Sequence, residues 1–83
     1  MIYLIDYDRR SGTLIEMRAF GDNERETAQN ARLDLELALY AKGLEREIVL
    51  LEAADEAGLR RTHGRYFETL ESLAAHGAEL VLR

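Results

Sequence analysis

The sequence predicts a small α+β domain in the order β-β-α-β-α, with a small mixed or antiparallel sheet packed by two long helices. Three observations predict it. Two strand-like stretches flank a Gly-containing turn near the start. A long run of helix formers lies between a capping signal and a glycine. A continuous apolar run then precedes a second helical stripe.

The first strand is "IYLIDYD", residues 2–8, rich in Ile and Tyr. "RRSG" follows, with Gly12 suited to a positive φ at the end of a short hairpin loop. The second strand is "TLIEMRAF", residues 13–20. Pairing Asp8 with Thr13 and alternating without interruption puts Ile2, Leu4, Ile15, Met17 and Ala19 on one face. Tyr3, Ile5, Tyr7, Leu14 and Phe20 fall on the other, with Glu16 and Arg18. Both faces are substantially apolar, so both require cover.

"GDNERE" reads as a helix start, with Asn23 as cap and Glu26 three residues on. Gly43 after Lys42 is the stop, which gives a helix over residues 24–42. That span contains "RLDLELALY", where leucine takes every second place as it would in a half-buried strand. Caps and propensity decide for helix. At ~100° per residue the helix then carries two apolar stripes. Ala28, Ala31, Leu35, Ala38 and Leu39 suit close approach to a sheet. Leu33, Leu37 and Tyr40 lie nearly opposite, with Leu44 just beyond the cap, and need a second cover.

"REIVLLE" gives the third strand, and its unbroken apolar centre predicts a central strand buried on both faces. The connection into it from the second strand is expected to be a right-handed crossover. Asp55 and Glu56 suit the next helix start. Leu59, His63, Tyr66, Leu70 and Leu73 form one helical stripe, which Gly58 and Gly64 weaken, leaving a break near Gly64 open, and which Gly77 ends. "AELVLR", residues 78–83, fits either a short edge strand or a tail.

At 83 residues the chain holds one domain, residues 1–83, with a small stability margin. No cysteine is present, which excludes disulfides and thiolate zinc sites, and two histidines make no His-rich metal site. No metal and no cofactor is expected. Self-association is the remaining way for so small a chain to gain stability. The net charge of −5 disfavours nonspecific nucleic-acid or anionic-membrane binding. No apolar run is long enough to span a membrane. In "MIYLIDYDRR" the charge follows the apolar stretch, unlike a signal peptide, so a cytoplasmic location is expected.

The apolar strand ending in Asp6-x-Asp8, "LIDYDRRSGTL", resembles the nucleophile motif of the haloacid dehalogenase phosphatases. The resemblance implies a nucleophilic Asp6, an acid/base Asp8 and Mg²⁺. It covers those two residues only. Arg10 stands where that family has Thr or Val, and the family's larger body has no room here. Asp8 reads instead as the start of the hairpin loop, and Asp6 as a residue at the sheet margin.

"LRRTHGRYF" is the one basic cluster. Arg60, Arg61, His63, Arg65 and Tyr66 suit an RNA, nucleotide, phosphate or acidic-partner site by bidentate pairing and stacking. On a helix, however, the arginines spread around the axis and would also serve as partners for glutamate. His63 and His76 lie about 140° apart on a continuous helix at ~100° per residue, too far apart to act as an acid/base pair. Tyr3, Tyr7 and Phe20 on one hairpin face suggest a stacking platform or, better, a core or subunit interface.

The sequence therefore favours a binding or regulatory interaction module over an enzyme. Its partner would be a second copy or another protein, met through Leu33, Leu37, Tyr40 and Leu44. The alternative is a nucleic-acid or phosphate-ligand binder using residues 60–66. An enzyme with a site at a dimer seam, from Arg61, His63 and Asp6 or Asp8, ranks third.

Overall fold

The computed structural model describes residues 1–68. Strands β1 (Ile2–Asp8) and β2 (Thr13–Phe20) form the first hairpin. A 3-10 turn over Asp22–Glu24 leads into α1 (Arg25–Ala41), and β3 (Glu47–Glu52) follows. Then come α2 (Glu56–Thr62) and a second 3-10 turn over Gly64–Phe67. The sheet is antiparallel with order β2-β1-β3. The α1 connection thus crosses the central strand to join two parallel flanking strands.

The central strand is β1, not β3, among the described residues. Ile2, Tyr3, Leu4, Ile5, Asp6 and Tyr7 are all buried, whereas β3 is half-buried. The apolar run in β3 reflects helices on both faces of the sheet, a condition that a flanking strand also meets. On one face α1 brings Ala28, Ala31 and Leu35 against Ile2, Leu4, Phe20, Ile48 and Leu50. On the other, Leu59 of α2 and Tyr66 pack on Tyr3, Ile5 and Tyr7, with Met17, Val49 and Leu51 around them.

Asp8 does pair with Thr13, but the register shifts between Asp6 and Tyr7: Tyr7 faces Leu14 and Asp6 faces Glu16. Ile15 is the extra residue of a β-bulge and points into solvent. Beyond it every β2 side chain changes face relative to an uninterrupted alternation. Met17 and Ala19 join the tyrosine face, and Phe20 joins Ile2 and Leu4 under α1. Tyr3 and Tyr7 therefore share one face, and Phe20 lies on the other.

"RLDLELALY" is helical, as its propensity and the Gly43 stop predict. The start differs from expectation. Gly21 and Glu24 make the reciprocal pair: the Gly21 amide donates to Glu24 Oε1 at 2.8 Å and the Glu24 amide to the Gly21 carbonyl at 2.9 Å. The 3-10 turn takes this device, so Asn23 caps nothing and α1 begins at Arg25. At the other end Gly43 adopts φ 69°. Its amide donates to the Tyr40 carbonyl at 3.0 Å and that of Leu44 to the Leu39 carbonyl at 3.0 Å, a complete Schellman closure.

The second helix is not long. Asp55 caps α2 by accepting from the Gly58 amide at 2.8 Å, as expected, but the helix ends at Thr62. His63 leaves the helical region at φ −128°, ψ 41°. The tighter 3-10 turn then returns Tyr66 to the sheet. Leu70, Leu73, His76 and the strand expected at residues 78–83 lie outside the described residues.

Candidate functional site

Two surfaces stand out. The first is the outer side of α1. Ala28 and Leu39 are buried against the sheet, while Leu33, Leu37, Tyr40 and Leu44 are exposed by 54%, 58%, 85% and 49%. The helix thus has the two apolar stripes its sequence predicts, and the described residues cover one of them. Near the C-terminal end, Leu39, Tyr40 and Leu44 share a shallow groove with Ile48 of β3.

The second is the end of the sheet where the hairpin loop meets the α1–β3 loop. Glu47, at the start of β3 and opposite Tyr7, is nearly buried. Its carboxylate accepts from Arg9 Nε at 2.9 Å, from Arg65 at 2.6 Å and from the Tyr66 hydroxyl. The Tyr66 hydroxyl bond holds the Glu47 carboxyl below the usual range against the opposing effect of burial, and Arg9 and Arg65 add to it. Burial and the Glu47 charge raise the Tyr66 hydroxyl. The Arg65 guanidinium lies 4.2 Å from the Tyr66 ring centre. Tyr66 in turn meets Tyr7 edge-on at 5.2 Å.

On the α1 face of the same strands, Asp6 is 2% exposed, and its Oδ1 lies 3.4 Å from Arg46 Nε. Neither atom makes a hydrogen bond within the described residues. Arg46 stands two residues before Ile48, the cross-strand partner of Asp6, and so on the same face. Burial raises the Asp6 carboxyl, and Arg46 only partly offsets it. Asp6 is therefore inside the central strand rather than at the sheet margin. Asp8 does begin the loop: it accepts from the Arg10 amide at 3.0 Å, which keeps its carboxyl below the usual range.

The basic cluster of the sequence is dispersed by the structure. Arg60 pairs with Glu56 at 2.9 Å and lies 4.3 Å from the Phe67 ring centre. Arg65 and Tyr66 turn to Glu47. Arg61 is exposed without an ion pair among the described residues, and half-buried His63 closes α2 through its amide. What unites Arg65 and Tyr66 with Arg9 and Glu47 is the β1–β3 register, which no local motif announces.

Among the described residues no three His, Asp or Glu side chains gather as a metal site, and no helix is long and apolar enough to cross a membrane. Comparison with family models, with curated proteins and with solved structures finds no match.

Proposed function

We propose that the protein is an interaction module that self-associates through the outer stripe of α1. One observation supports this reading: Leu33, Leu37 and Tyr40 stand exposed along α1 on a stripe other than the one buried on the sheet, with Leu44 exposed just past the helix end. The 4-3 spacing of the three helical residues is that of a seam between two packed helices. Contiguous apolar surface of this kind marks contact sites in soluble domains. A second copy presents the same stripe, so a two-fold contact buries both at once. A chain of 83 residues gains stability by doing so.

Light scattering coupled to size exclusion, from micromolar to near-millimolar concentration, tests it. The wild type is expected to be a dimer, and Leu37→Glu a folded monomer by circular dichroism. A wild type that stays monomeric throughout, or a folded Leu37→Glu that stays dimeric, overturns it.

A further inference from the structure

Three guanidinium groups converge at the end of the sheet. Arg9 and Arg10 from the hairpin loop and Arg46 from the α1–β3 loop line a groove of about 280 Å³ with Glu45 and Glu47. A hollow of about 360 Å³ adjoins it, lined by Arg10, Arg46 and Glu45 together with Asp8, Gly43 and Leu44.

Arg9 and Arg46 each have a carboxylate behind them. Glu47 anchors exposed Arg9 through Nε alone. Asp6, nearly without solvent contact, stands behind Arg46 at 3.4 Å from Nε. A guanidinium has five N–H donors, so an anchor at Nε leaves the outer ones for a ligand. Arg10 has no side-chain partner among the described residues. Of the carboxylates nearby, Glu47 and Asp8 are engaged, while Glu45 on the rim has no ion pair among the described residues. Glu47 serves Arg9, Arg65 and Tyr66, and Asp8 serves the Arg10 and Ser11 amides.

We propose that this groove binds a small molecule bearing a phosphate or carboxylate group, held by Arg9, Arg10 and Arg46. Planar guanidinium donors match both oxyanions, and anchored donors lose less freedom on binding. The chain's charge of −5 repels a polyanion at long range, and the groove admits only a small ligand.

The test is titration of the full 83-residue chain with inorganic phosphate, pyrophosphate and succinate, followed by amide NMR shifts at constant ionic strength set with sodium chloride. Saturable binding of at least one probe is expected, with shifts centred on Arg9, Arg10 and Arg46. The phosphate and succinate arms tell which group is preferred. Arg10→Ala, which breaks no ion pair among the described residues, should keep the fold and weaken binding about tenfold or more. No saturation with any probe, or the same affinity in folded Arg10→Ala, overturns the proposal.

Discussion

The Tyr66 hydroxyl donates to Glu47 Oε2 and so ties the turn after α2 to the first residue of β3. Seven-residue α2 has too few turns to hold itself on the sheet. Leu59 and the Tyr66 ring supply apolar burial, and the hydroxyl fixes where the segment stops.

Tyr66→Phe keeps the ring against Tyr7 and removes only this donor. A hydrogen bond to a charged group contributes about 1.5–3 kcal/mol, and Arg9 and Arg65 still serve Glu47. Urea unfolding should therefore show a loss of about 1–2 kcal/mol. The pH dependence should change with it. Glu47 has a depressed folded pKa, chiefly through Tyr66, so its stabilisation is complete above its ordinary value of 4.5. It is lost as pH falls through the depressed value. In Tyr66→Phe that acid-side loss should be smaller. Equal stability and an equal acid slope in the two proteins would show that the bond contributes nothing.

The bulge at Ile15 makes a second prediction, because it reverses the roles of two adjacent residues. Phe20 is buried under α1, and Ala19 is exposed. Phe20→Ala should cost about 3–5 kcal/mol, the range for an aromatic side chain removed from a core. Ala19→Lys should stay within about 0.5 kcal/mol, as exposed substitutions do. An uninterrupted register puts Ala19 with Ile2 and Leu4 instead, so similar losses at the two positions would contradict the bulge.

The same bulge shows what the sequence withholds. Helix α1 was legible because its signals are local: propensity, a glycine stop and a 3.6-residue period all lie within one segment. The exposed stripe at Leu33, Leu37, Tyr40 and Leu44 was legible for the same reason. The bulge was not, since "TLIEMRAF" alternates plausibly in either phase, and packing of Phe20 on Ala28 and Ile2 selects one. Strand order was misread because an apolar run reports cover on two faces, not a place at the centre. The arginine groove escaped notice because Arg9 and Arg10 lie far from Arg46 in the chain and meet it only through the pairing of β1 with β3. Glu47 carries no local signal either, since its place opposite Tyr7 comes from the β1–β3 register.

Asp6 should act on stability with the opposite sign to Glu47. Burial raises its folded pKa above the ordinary 3.8, with Glu16 and Asp8 adding to the effect and Arg46 opposing it. The folded chain therefore holds that proton to higher pH than the unfolded chain does. The stabilisation this provides is complete below 3.8 and is lost as pH rises through the raised folded value. Asp6→Asn removes the titration while keeping the shape. It also removes the counter-charge of Arg46, but that arginine keeps its charge at every pH in question and adds no slope of its own. Part of its side chain already reaches water, so the guanidinium can turn outward. The variant should thus gain on the wild type as pH rises from about 4 toward neutrality, whatever its absolute stability at either end. Urea midpoints of both proteins across that range measure the gap. A gap that stays constant would mean that Asp6 titrates alike in the folded and unfolded chains, and that Arg46 fully offsets its burial.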